Sequence, residues 1–454
     1  MRNNAPQTES SILKNVLIVT PLSLIGRAGT LLIYVVLANW FGDTAEMDFI
    51  YYYWAIAVFL IELLSAASAY SVLVPLLAEA RAKGETEAQR CVQSISALYI
   101  TIMPGLCCLL VGVSWAVSQL FFPNVGLGPS TIIGIICGFL IFAIVSAVRW
   151  MLKAVLDTYQ AFQLPVIVQG IRAFLVIGAI YLFKPTLAWF SIPFALILGE
   201  VFQVLILFPR CCAVLNLRAR DLKISWQETP YTKSFLRQCV PMMGAAIADG
   251  LNPVVDRGMA STLGTSSVSK LDYALRLCAI PETLTGVTLP VLLSHWAKIF
   301  ASEAHSENAQ QGFPKRPAYG VRRSVWQGVT VLLVLMVPFL VVFYLFRLDI
   351  VTVLYGHGKL SEAGQNHIAS LLGIYLIGML PRLISRLLIR AHLARQAHRT
   401  VFIATLIRLI LNPFLNWLFM QYWGLEGIAW STALLSYPIL AYIAIAFWRQ
   451  NDQK

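Results

Sequence analysis

Charge is scarce in this 454-residue chain: Asp, Glu, Lys and Arg make up 12% of it, against about 25% in soluble globular proteins. With 58% of residues hydrophobic and a mean hydropathy of +0.72, too little polar surface remains to clothe the soluble domains that the length would otherwise suggest. Histidine is sparse as well. Its six positions show no metal-ligand spacing, and no Cys-x-x-Cys, Asp-x-Asp, Asp-Asp, Gly-x-x-x-x-Gly-Lys or ordered Ser/His/Asp set occurs. Those absences exclude an ATPase element and give no footing for an enzyme.

What the chain does have is apolar runs long enough to cross a bilayer, each needing about 20 residues. Twelve are found, near 15–41, 48–77, 91–122, 130–156, 163–183, 187–208, 237–263, 267–297, 323–346, 364–391, 399–421 and 424–448. The expected fold is an all-α polytopic membrane protein, its helices kinked where proline falls in a run, as at Pro21, Pro104 and Pro381. Lys and Arg set the orientation. With both termini cytoplasmic, twenty basic residues lie in inner segments, four (Lys184, Lys270, Arg347, Lys359) lie outside, and ten fall within spans. The eight cysteines then sit in spans or at their cytoplasmic ends and read as structural thiols. The longest outer loop, about 347–363, is too short for a polysaccharide polymerase.

The inner loop over 209–236 separates two sets of six spans. The expected organisation is an N-terminal six-helix lobe over 1–208, a cytoplasmic linker over 209–236 and a C-terminal six-helix lobe over 237–454. The halves echo each other: Gln160-Ala161 and Ile171-Arg172 recur as Gln396-Ala397 and Ile407-Arg408, both offset by 236 residues without a gap. With one residue slipped, Arg149 and Lys153 correspond to Arg386 and Arg390. A second echo joins Pro75–Lys83 to Pro290–Lys298. Six spans return the chain to the same side, so the repeats are parallel, related by a pseudo-two-fold axis along the membrane normal. Such repeats mark transporters that alternate access by rocking two lobes about a central cavity.

The ten basic residues within spans are Arg27, Arg149, Lys153, Arg172, Arg257, Arg276, Arg382, Arg386, Arg390 and Arg408. An arginine at a helix centre costs about 2.5–3.5 kcal/mol on insertion scales. Arg149, Lys153, Arg257 and Arg390 lie close enough to an end to snorkel. Arg27, Arg172, Arg276, Arg382 and Arg408 lie deeper, roughly 13–18 Å along their helices at 1.5 Å per residue. Arg382, Arg386 and Arg390 share one helix face at i, i+4, i+8. In-span acids (Glu62, Glu200, Asp249, Asp256, Asp272, Glu282) are fewer, and the adjacent Asp256 and Arg257 are expected to neutralise each other in part. The cationic surplus points to an anionic substrate, and the guanidinium fork suits phosphate oxygens. Asp249 with Asn412 and Asn416, one turn apart, forms a second constellation that suits Na⁺ or H⁺ coupling, or equally amides bonding neighbouring helices.

Several segments resemble the MurJ/MviN family of lipid II flippases, in the superfamily of multidrug, oligosaccharidyl-lipid and polysaccharide exporters. They are Phe41-Gly42 with Asp48-Phe49, Val74–Glu79, Val255–Ser261, Ser267–Pro281, Leu354–Lys359, Asn412–Asn416 and Gly424–Ala429. The resemblance implies a flippase for undecaprenyl-pyrophosphate-linked saccharides in the bacterial inner membrane, partnered by that glycan and the bilayer. No cofactor, no nucleic acid and a monomeric chain are expected. By position, it carries Arg27, Asp48 and Arg276 over as substrate-binding residues, beside the deep set Arg172, Arg382, Arg386 and Arg408. Ile33, Tyr34 and Ile61 stand where the family has Arg, Asp and Arg. An exopolysaccharide or O-antigen repeat unit on the same carrier lipid is therefore the alternative cargo. A multidrug exporter fits less well, because its cavity would be acidic or aromatic.

Overall fold

A computed structural model describes residues 9–63, 72–122, 125–217, 229–283, 318–394 and 397–452, and all regular structure among them is helical. In chain order the helices are α1 (Glu9–Phe41), α2 (Ala45–Ile61), α3 (Val74–Lys83), α4 (Glu85–Phe121), α5 (Pro129–Thr158), α6 (Gln163–Leu187) and α7 (Ser191–Val214). There follow α8 (Pro230–Ser261), α9 (267–283), α10 (Ala318–Leu345), α11 (Arg347–Tyr355), α12 (Glu362–Ala394) and α13 (His398–Asp452). The echo at Pro290–Lys298 and linker residues 218–228 lie outside the described residues.

Two apolar stretches are far too long for one crossing. Gln163–Val214 has 52 residues and Arg399–Arg449 has 51; a helix of that length would run roughly 75 Å against a hydrocarbon core of about 30 Å. Each is broken once by a non-helical residue. Ala188 (φ 46, ψ −120) ends α6, and Gly424 (φ 53, ψ −128) interrupts α13. These positions are 236 residues apart, the spacing of the sequence echo, so the repeat extends to the backbone. The turn after α5 gives a third match: Ala161 N–H donates to Leu156 O and Ala397 N–H to His392 O, both at 2.9 Å and both spanning five residues. This is the closing bond of a Schellman helix end.

Packing groups the residues into two compact units: Met1–Leu37 with Ala45–Val254, and Ala38–Thr44 with Val255–Lys454. This division runs through α8, whose N-terminal part packs with the first unit. The reason is local: Phe235 and Cys239 of α8 are buried in one core with Leu77, Cys91, Ile95, Leu152, Val155 and Cys211.

In the first unit α2 is buried on nearly every side, as its unbroken run of apolar and aromatic residues requires. Tyr34 stacks on Trp54 with ring centroids 5.0 Å apart, and Tyr51 and Phe139 extend the cluster. Helix α1 meets α6 through small residues. A Cβ on Gly29 would lie 2.7 Å from Ala173 Cβ, and one on Gly26 would sit against Gly170, a close approach typical of membrane helices. In the second unit Tyr273 donates to Gly42 O (2.7 Å), and Asn39 Nδ2 donates to Leu354 O (2.9 Å). Gly42 adopts φ +77 there, with Lys359 where a side chain would otherwise point. Helix α10 leaves Val334, Leu335, Val341, Val342 and Leu345 exposed, an apolar face suited to lipid.

Candidate functional site

Six of the ten in-span basic residues resolve into one motif repeated three times, a carboxylate shared by two arginines. In the first unit, Arg149 of α5 donates from Nε to Glu200 Oε2 at 2.5 Å, and Arg172 Nε of α6 lies 3.0 Å from Glu200 Oε1. Glu200 stands on α7 and is 3% exposed. Gly199 makes the approach feasible, since a Cβ there would press on Arg172 Cγ and Val176. Lys153 pairs separately with Asp157 at 2.6 Å.

The second unit holds the other two. Arg257 grips Asp272 with both arms of its fork, Nε to Oδ2 and Nη2 to Oδ1, each at 2.7 Å. Arg276, one turn beyond Asp272 on α9, places Nε 3.6 Å from Oδ1. Glu282 bridges two α12 residues, Arg382 Nη2 at 3.2 Å and Arg386 Nη1 at 2.8 Å. Within each set two guanidinium groups meet one carboxylate, so part of the cationic surplus expected from sequence is held in three shared-carboxylate groups.

One expectation is corrected: Arg257 does not snorkel, because its guanidinium is buried against Asp272. Asn412 and Asn416 converge on the carboxylate of Asp256, each amide Nδ2 donating to its Oδ1 at 2.6 Å. The side chain of Asp249 lies outside the described residues. Asn416 Oδ1 is buried with no hydrogen-bond partner among the described residues, which leaves an acceptor oxygen beside the carboxylate. A hard cation coordinates such oxygens.

The remaining candidates stand on other helices. Arg27 is exposed on α1 of the first unit, and Arg408 is half-buried on α13 of the second. Asp48 is buried in the first turn of α2, where the helix dipole favours an anion. Asp272 and Glu282 were visible in sequence only as in-span acids; their role as shared counter-ions depends on which helices pack together.

Long apolar helices with lipid-suited faces and buried ionic groups define a multi-pass α-helical membrane protein. Solved structures with this fold include one titled lipid II flippase MurJ, inward closed conformation, with TM-score 0.78 and 20% identity, covering 95% of this chain and 87% of that one. Another is an inward-facing multidrug resistance MATE family transporter of the MOP superfamily, with TM-score 0.73 and 11% identity, covering 96% and 98%. The family profile described as lipid II flippase MurJ matches residues 37–454, and the chain belongs to that family. Among its relatives, the lipid II flippase MurJ of Burkholderia cenocepacia is 25% identical over 93% of this chain and 81% of its own length. The probable lipid II flippase MurJ of Vibrio cholerae is 24% identical over 95% and 82%.

Proposed function

We propose that the chain is a flippase that moves an undecaprenyl-pyrophosphate-linked saccharide, lipid II in the first instance, across the bacterial inner membrane by alternating access. The observation that carries this reading is the gathering of in-span arginines in pairs around shared carboxylates, since paired guanidinium forks suit the oxygens of a diphosphate. Family membership supplies the cargo class. Arg27, Arg172, Arg276, Arg382, Arg386 and Arg408 are the proposed substrate contacts, with Asp48 as a supporting charge. The two halves, 1–208 and 237–454, would rock about a cavity, with both termini cytoplasmic and the chain a monomer.

Coupling to Na⁺ or H⁺ belongs to the same proposal. Asp256, Asn412 and Asn416 would hold the ion, with Asp249 on the same helix as a further oxygen donor. Na⁺ would neutralise Asp256 and recruit the amide oxygens; a proton would turn Asp256 from an acceptor into a donor.

Complementation tests the reading. The chain is expressed in cells depleted of their own lipid II flippase, and growth with normal peptidoglycan is expected. Failure to rescue, together with loss of a capsule or exopolysaccharide on deleting the gene from its host, would transfer the cargo to the other glycans on the same carrier.

A further inference from the structure

The 236-residue repeat that relates Arg172 to Arg408 also relates Glu200 to Ser436. In the first half the acid shared by two arginines is the buried Glu200. Ser436 cannot take that role, and its hydroxyl donates back to Thr432 O at 3.2 Å. The second half draws its carboxylate from a different helix, α9, through Glu282. This pairing is more open: Glu282 is 22% exposed, with Arg386 at 50% and Arg382 at 18%, against 3% for Glu200. Of the two acids, Glu282 with its half-exposed partner Arg386 is the easier to separate, because an ion pair that is less buried is worth less. A diphosphate offers more charge and more acceptor oxygens than one carboxylate, and guanidinium groups bind it through paired hydrogen bonds.

We infer that Glu282 is a displaceable internal counter-ion. It occupies Arg382 and Arg386 when no substrate is bound, and it yields them to the diphosphate of a polyprenyl-linked substrate. Glu200 is the fixed counterpart and stays with its arginines throughout. Glu282 thereby sets the affinity of the site: it competes with the headgroup, which keeps binding weak enough for release, and it gives neutral lipids no advantage. The inference rests on the reading of Arg382 and Arg386 as diphosphate ligands.

The test is binding of undecaprenyl diphosphate to the full-length chain in nanodiscs, with uncharged undecaprenol as control. Glu282→Gln is expected to tighten diphosphate binding about tenfold, about 1.4 kcal/mol, without changing undecaprenol binding, while Arg386→Gln weakens it. If Arg386→Gln weakens binding but Glu282→Gln does not tighten it, the counter-ion role is overturned and the diphosphate reading survives. If Arg386→Gln and Arg382→Gln both leave binding unchanged, both are overturned. A measurement on the unmodified chain guards against a misfolded variant. Carboxyl footprinting of Glu282 should increase when undecaprenyl diphosphate is added; unchanged or reduced labelling contradicts displacement.

Discussion

Glu200 holds two arginines inside the first unit, one on each carboxylate oxygen. Removing one member of a buried ionic group leaves its partners uncompensated, typically a loss of about 3–5 kcal/mol. Glu200→Gln should therefore lower the melting temperature markedly in detergent, whereas Glu282→Gln, at a more open site, should shift it little. Equal shifts would contradict the distinction between fixed and displaceable acids. A second contact at this scale lies beyond the spans, where Tyr231 Oη donates to Glu87 Oε2 at 2.8 Å. That hydrogen bond holds the Glu87 carboxyl below its ordinary range, and it pushes the Tyr231 hydroxyl up to about 12. A depressed carboxyl contributes stability above its unfolded value, near pH 4, and loses it as pH falls through the folded value. The destabilisation caused by Tyr231→Phe should thus be complete at pH 7 and shrink in stronger acid, as thermal unfolding across a pH series would reveal. These pairings were not readable from sequence. Each joins residues on separate helices, and spacing along one helix says nothing about which helix faces it. Asp249 and Asp256, two turns apart on α8, present nearly the same face, so periodicity could not choose between them as the partner of the two asparagines.

Helices, by contrast, were largely readable, because an apolar run of bilayer length has few alternatives. The repeat also announced itself in Gln-Ala and Ile-Arg pairs, and the backbone carries it further than the side chains do. Ala188 and Gly424 share one unusual conformation, yet only glycine adopts it without strain. An alanine at positive φ has no sequence signature of its own, so in the first half the reversal was legible only as the gap between the apolar runs 163–183 and 187–208. Strain of this kind costs about 1–3 kcal/mol, so Ala188→Gly should raise thermal stability by on the order of 1 kcal/mol. A neutral or destabilising result would show that the surroundings have absorbed the strain. The same scale explains α1, whose Gly26 and Gly29 lie against α6 while Arg27 remains exposed.

For the whole molecule, the net charge of +12 divides by place. Most of it lies outside the spans, and six of the ten basic residues within them are organised into pairs around single carboxylates. That arrangement reconciles a stable membrane protein with the proposed cationic site: each shared acid reduces the burden of two in-span cations. The family assignment supplies a lipid-linked saccharide as cargo, and the proposed role of the arginine groups fits the diphosphate of such a carrier. The most direct test is leaflet-resolved translocation of lipid II by the purified chain in proteoliposomes, comparing wild type with the Arg27→Ala/Arg276→Ala double variant at equal incorporation. Wild type should translocate lipid II, and the double variant should lose at least about tenfold of that rate, as expected when charge-assisted contacts are removed. Translocation undiminished in the double variant, or absent in the wild type, would contradict the account.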